Sequence, residues 1–276
     1  MKQNRKLTTV IVLLLLLFFT GIAIYSGDKL WEISKIYREG DKSYELLQNQ
    51  VRPANGSDSV LVIQTTTDSS GLHEPDAQIS IPPLSIDFEL MKEVNSDSAA
   101  WLYCPDTPID YPVMRADDYD WYLRHLPDGT YNANGSLFLD YNASPDFSGR
   151  LNIIYGHNMK SEKMFGSLVK YKIQSYYDEH PFMYLYTADG NYGIELKYGC
   201  VIGAGDWRDR AFIFENNVES LLKYASEKTT FQSATKYDAD DKFIVLSTCS
   251  YEFDDARYIV IGILRPEDKS RQMEEE

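Results

Sequence analysis

Two apolar segments of different character open the chain. Residues 8–25 carry no charge, with the run Leu13-Leu14-Leu15-Leu16-Leu17-Phe18-Phe19 at their centre, and are just long enough to cross a hydrocarbon core as a helix. Residues 30–47 set Leu30, Trp31, Ile33, Ile36, Tyr37, Tyr44, Leu46 and Leu47 at roughly helical intervals, which predicts a helix that packs on the following domain or acts as a stalk. Residues 52–83 then turn to Pro, Gly, Ser, Thr and Asp, interrupted only by Val60-Leu61-Val62-Ile63, and read as a linker. The pattern divides the chain into a tail (1–7), a membrane segment (8–25), a juxtamembrane helix (26–51), a linker (52–83), a folded domain (84–266) and a charged tail (267–276).

Within the folded domain the period changes. A short helix is predicted over 87–95, with Leu90, Met91 and Val94 inward. Runs at 100–103, 109–113, 136–139, 152–155, 182–186, 192–202, 242–246 and 258–264 are rich in β-branched and aromatic residues and bounded by Gly, Pro, Asp and Asn. Short strands so spaced suit a closed barrel or a sandwich. Helical intervals return at 164–171, at 175–179 and at 216–228, where Val218, Leu221, Leu222 and Ala225 share one face. The expected fold is mostly β with peripheral helices.

Charge narrows the function. The 276-residue chain has 27 Lys and Arg against 42 Asp and Glu, a formal net charge of −15 that repels nucleic acid, so no nucleic-acid partner is expected. Lys2, Arg5 and Lys6 precede the apolar run without any acid, an asymmetry that keeps the N-terminus cytoplasmic and sends the rest outside. A cleavable signal peptide is the alternative, and it also exports the domain. Acidic clusters at Asp117-Asp118 and at Asp238, Asp240 and Asp241 are read as solvated loop charge rather than as calcium sites, and no metal or cofactor is expected.

Cys104, Cys200 and Cys249 are the three cysteines, too few and too unevenly spaced for a disulfide framework and without a CxxC pair. An odd cysteine in an exported chain leaves at least one thiol free, either inert in a core or reactive. Cys104 and Cys200 read as structural. Cys249 closes the apolar run Phe243-Ile244-Val245-Leu246-Ser247-Thr248, where a strand end meets a polar segment. His157 follows Leu151-Asn152-Ile153-Ile154-Tyr155 and a break at Gly156, and Arg257 opens the last strand, near enough for a tight turn to return it to the cysteine. These three types form a coherent set. A thiol attacks amides only as thiolate, a histidine exchanges the protons, and the fixed donor fork of arginine suits a developing oxyanion. His73, His125 and His180 lie in linker, loop or helix-end settings and rank below His157.

The strings Leu246-Ser247-Thr248-Cys249, Tyr251-Glu252-Phe253-Asp254-Asp255-Ala256-Arg257 and Ile154-Tyr155-Gly156-His157-Asn158-Met159 closely resemble the active-site segments of class B sortases. Ile109-Asp110-Tyr111-Pro112-Val113, Gly135-Ser136-Leu137-Phe138-Leu139-Asp140 and Met164-Phe165 with Leu168 and Tyr171 are similar to the family too, in the same order. The resemblance implies an eight-stranded sortase-type β-barrel behind an N-terminal transmembrane helix, in the cytoplasmic membrane of a Gram-positive bacterium with its catalytic domain extracellular. It implies a cysteine transpeptidase that cleaves a sorting signal after threonine and passes the thioacyl group to an amine of a peptidoglycan precursor, with Cys249, His157 and Arg257 catalytic. Its partners would be surface proteins bearing that signal. The helix at 216–228 resembles the insertion of class B, and Ser247 and Leu123 match positions lining the family's substrate groove. Tyr119, where many relatives carry Asn, and Ser250 depart from the pattern and put the sorting motif in doubt. A surface cysteine peptidase, in which water resolves the acyl enzyme, and a non-catalytic surface β-barrel protein are the other readings.

Overall fold

The computed structural model describes residues 2–52, 84–206 and 218–267, with side chains from residue 11 onward. Most of the expected linker and of the C-terminal tail therefore lies outside the described residues, as do His73 and residues 216–217.

The two apolar segments near the N-terminus lie on one unbroken helix, α1 (Lys2–Val51). Ser26, Gly27 and Asp28 do not interrupt it, because a single helix-interior glycine costs only about 1 kcal/mol relative to alanine. Its apolar span holds no buried side chain, whereas Tyr44, Leu47 and Val51 at its other end are buried on the domain. α2 (Phe88–Val94) follows, capped by Asp87, whose carboxylate accepts from the Leu90 N–H. Met91 alone of the three expected inward residues is buried; Leu90 is half-buried and Val94 is exposed, because about two turns of helix present only a narrow stripe to the sheet.

Among the described residues eight strands close a barrel: β1 (Ser98–Tyr103), β2 (Asp110–Met114), β3 (Leu137–Leu139), β4 (Leu151–Tyr155), β5 (Phe182–Tyr186), β6 (Asn191–Gly203), β7 (Lys242–Cys249) and β8 (Ala256–Pro266). The order around the wall is β1-β2-β3-β4-β7-β8-β6-β5. Most neighbours are antiparallel; β2 with β3 and β4 with β7 run parallel.

Alternation along each strand separates two cores. Ile244 and Leu246 of β7, with Tyr258, Val260 and Leu264 of β8, point into the barrel. Phe243 and Val245, with Ile259, Ile261 and Ile263, point outward under α5 (Val218–Lys228), which covers them with Val218, Leu221, Leu222 and Ala225. α3 (Gln174–Glu179) and the three-residue α4 (Ala204–Asp206) complete the helices. The helix expected over 164–171 is a 3-10 turn over Ser167–Lys172, since Met164 sits at φ +52°, outside any right-handed helix. A second 3-10 turn, Trp121–Leu123, has no counterpart in the hydrophobic pattern; Asp118 accepts from the Asp120 and Trp121 N–H groups and starts it.

Candidate active site

The barrel order brings the three candidate residues to one edge of the wall. β4, β7 and β8 are consecutive, and Cys249 is directly paired with Arg257 at the last rung between β7 and β8. Opposed residues of an antiparallel pair share a face, so thiol and guanidinium project from the same side. That side is the outward one, two residues on from Ser247 and four from Val245.

β4 runs parallel to β7 with Tyr155 opposite Ser247, and both strands leave the sheet at the same end. The ladder goes one step further, as the Gly156 N–H donates to the Ser247 carbonyl (3.1 Å) and the Thr248 hydroxyl to the Gly156 carbonyl (2.7 Å). His157 comes next. Gly156 permits the close approach that sets its position: a Cβ there would lie 2.4 Å from Leu137 Cδ2 and 2.7 Å from Phe165 Cδ2.

The imidazole is held from one side. His157 Nε2 lies 2.7 Å from the Leu123 carbonyl oxygen, a pure acceptor, so Nε2 carries a hydrogen and Nδ1 is the nitrogen left for proton exchange. Leu123 thus contributes through its backbone, while its half-buried side chain packs against the Met114, Tyr122 and Phe138 cluster. Asn158 reaches the other way. Its side-chain amide donates to the Cys249 carbonyl at 2.7 Å, a contact whose only sequence signal is an amide beside a strand-end histidine.

Exposure separates the cysteines. Cys249 is half-buried, whereas Cys104 and Cys200 are fully buried and all three are free thiols. Burial pushes the Cys104 thiol up to about 11 and the Cys200 thiol to about 12, which keeps both protonated and inert at neutral pH. His125 stacks flat on Trp121 with ring centroids 3.8 Å apart, and His180 ends α3 against Tyr176; neither joins the rim.

Ser247 is buried, and its hydroxyl has no hydrogen-bond partner among the described residues. Beyond Cys249 a cavity of about 280 Å³ is lined by Asn158, Val169, Lys172, Ser250, Tyr251 and Glu252. Lys172 and Ser250 both bond the Glu252 carboxylate; burial opposes its ionisation, yet these hydrogen bonds hold it below the usual carboxylate range. Among the described residues no three His, Cys, Asp or Glu side chains converge as a metal site. Asp241 is engaged by Arg265 and by the Asp238 N–H instead.

No family model matches the chain. Sortase B of Listeria monocytogenes is 31% identical over 178 residues, 63% of this chain and 72% of that protein. Sortase B of Staphylococcus aureus is 24% identical over 178 residues, covering 63% and 73%. The solved Staphylococcus aureus sortase B–substrate complex superposes with a TM-score of 0.61 at 23% identity, over 66% of this chain and 85% of that one. The same closed barrel, and a likeness that spans most of an established relative, place this chain in the sortase B family as a sortase-type cysteine transpeptidase.

Proposed function

We propose that Cys249, His157 and Arg257 are the catalytic residues, and that the reaction is cleavage of a sorting signal after its threonine followed by transfer of the protein to an amine of a peptidoglycan precursor. The pairing of Cys249 with Arg257 at the end of the β7–β8 ladder carries this reading, with His157 two residues past the last β4–β7 rung.

In the first half-reaction the Cys249 sulfur bonds the threonine carbonyl carbon and the C–N bond to the next residue breaks. His157 Nδ1–H delivers the proton that the departing amine needs. Arg257 projects from the same face as the sulfur and offers its donors to the oxyanion of the tetrahedral intermediate. In the second half-reaction the acceptor amine attacks the thioester, loses its proton to the imidazole, and expels the Cys249 thiolate. Ser247, buried two residues before the nucleophile with a hydroxyl that has no partner among the described residues, and Leu123 belong to the groove for the signal peptide. One solved sortase B is complexed with triglycine, a peptide with a free amine, which supports an amine as the acceptor.

The uncharged stretch of α1 anchors the enzyme in the cytoplasmic membrane, with the barrel on the outer side. The folded unit is taken as residues 84–266.

Mass spectrometry of the full-length protein with candidate sorting peptides tests the assignment. A thioacyl adduct on Cys249, and a product whose mass includes an added oligoglycine or diamino acid, are expected. Product carrying only water points to a peptidase. Undiminished cleavage by Cys249→Ala, or by His157→Ala, removes the catalytic assignment of that residue.

A further inference from the structure

The end of α1 nearest the barrel is bonded to residues 132–136, next to the turn whose Leu123 carbonyl holds the imidazole. Asn132 Nδ2 donates to the Ile36 carbonyl (2.9 Å) and Asn134 Nδ2 to the Tyr37 carbonyl (3.3 Å). About two turns further, the buried Tyr44 hydroxyl donates to the Gly135 carbonyl (2.5 Å) and lies 3.0 Å from the Ser136 hydroxyl. Gly40 lets the helix approach the domain closely: a Cβ there would lie 2.4 Å from Asn134 Nδ2 and 2.8 Å from Asn132 Oδ1.

The segment that α1 grips is itself tied to Leu123 and its neighbours. The Asn132 N–H donates to the Arg124 carbonyl, the Ser136 N–H to the Tyr122 carbonyl, and the Ser136 hydroxyl to the His125 carbonyl, each at 2.8 Å. Gly135, at φ +57°, lies so close that a Cβ would sit 2.7 Å from the Leu123 carbonyl oxygen, the atom that receives His157 Nε2–H. A second link leaves α1 at Asp41, which pairs with Lys163 at 2.7 Å. Lys163 belongs to the loop closed by the Asn158 and Met164 bridge and by the Phe165 N–H donating to the His157 carbonyl at 3.0 Å.

We infer that residues 36–51 of α1 are a positioning element for His157, fixing the Leu123 carbonyl from one side and the loop after His157 from the other. The inference rests on the proposed catalytic role of His157. It goes beyond anchoring, because a tether needs none of these bonds: the helix supplies groups that the barrel lacks by itself, and active-site geometry becomes a property of helix and barrel together. A rim residue displaced by about 1 Å loses rate far out of proportion to stability.

Full-length protein in detergent micelles, carrying Gly40→Leu or Tyr44→Phe, tests this, with Leu30→Ala, on an exposed part of α1 outside residues 36–51, as the control. Each is read by kcat and KM for a sorting peptide and by the ring-nitrogen NMR signals of 15N-labelled His157. Gly40→Leu is expected to lower kcat about tenfold with KM within about twofold, and to shift the Nε2 signal as the Leu123 bond lengthens. Tyr44→Phe keeps the volume and the fold and removes one donor, so about a threefold fall in kcat with a smaller shift is expected, and Leu30→Ala should match the parent. Parental kcat and unshifted His157 signals in Tyr44→Phe overturn the proposal, even if Gly40→Leu does not fold. Failure of the underlying reading is separately visible, as full activity in His157→Ala.

Discussion

The side-chain amide of Asn158 donates to the backbone carbonyl of Cys249 at 2.7 Å, joining the residue after His157 to the peptide group of the proposed nucleophile. The bond spans two parallel strand ends that have already run out of ladder partners, so it fixes their spacing where the sheet no longer does. Asn158→Ala should therefore lower kcat/KM about tenfold. Loss of one such bond removes about 1 kcal/mol, so the melting temperature should fall by only about 2–4 °C. A parental kcat/KM would show that the strands hold register without it.

Thiol reactivity should follow burial. Iodoacetamide at pH 8 is expected to add once to the native chain, at Cys249, and three times after unfolding, because Cys104 and Cys200 are buried and held protonated. Peptide mapping of the adducts checks this, and native labelling at Cys200 would contradict the packing under α5.

The same two thiols predict an alkaline loss of stability. Burial raises them to about 11 and about 12 from an ordinary value of 9.0, so above pH 9 the unfolded chain releases protons that the folded chain retains. Their contribution is complete below pH 9 and declines as pH rises toward the folded values. Melting curves between pH 8 and 10 should fall less steeply for Cys104→Ala with Cys200→Ala than for the parent. Above pH 10 buried tyrosines such as Tyr111, which burial pushes up to about 12, add to the loss in both.

Arg257→Lys keeps the charge and the cross-strand pairing with Cys249 but loses the planar fork. It is expected to reduce kcat by about 100-fold or more with an unchanged melting temperature. A melting temperature that collapses along with activity would make Arg257 a structural residue.

Gly156→Ala places a methyl group against Leu137 and Phe165 at the residue before His157. Overpacking of this kind destabilises by about 1–3 kcal/mol. Thermal unfolding measures that, and the labelled imidazole should shift as well, since relief of the clash moves the His157 backbone.

Strand positions were legible because β-branched and aromatic runs, punctuated by Gly, Pro, Asp and Asn, report directly on a half-buried pleated wall. The expected runs correspond to β1 through β8, β7 extending further to include Cys249 itself. The edge position of Cys249 and Arg257 was legible for the same reason. What stayed hidden was carried by backbone groups. The Leu123 carbonyl has no residue signature, since any side chain at 123 would present the same oxygen, and the Trp121–Leu123 turn is too short to show a period. Continuity of α1 through Ser26-Gly27-Asp28 was hidden too, because polar and glycine residues in a row read as a break, whereas a long helix tolerates them. Val94 shows the limit of pattern on a seven-residue helix, where one residue of rotation decides between core and solvent.

The parallel pairing of β4 with β7 has a kinetic consequence. Parallel neighbours cannot be joined by a hairpin, so the strand ends that carry Cys249 and His157 come together only after the whole intervening chain, with β5, β6 and α5, has been threaded back across the wall. Non-local pairings of this sort are slow, because loop-closure entropy is spent before any contact rewards it. A molecule with every local turn in place but this seam unzipped carries all three proposed catalytic side chains without the arrangement they need. Acylation by substrate therefore reports completion of folding, and in a refolding time course it should be among the last signals to recover.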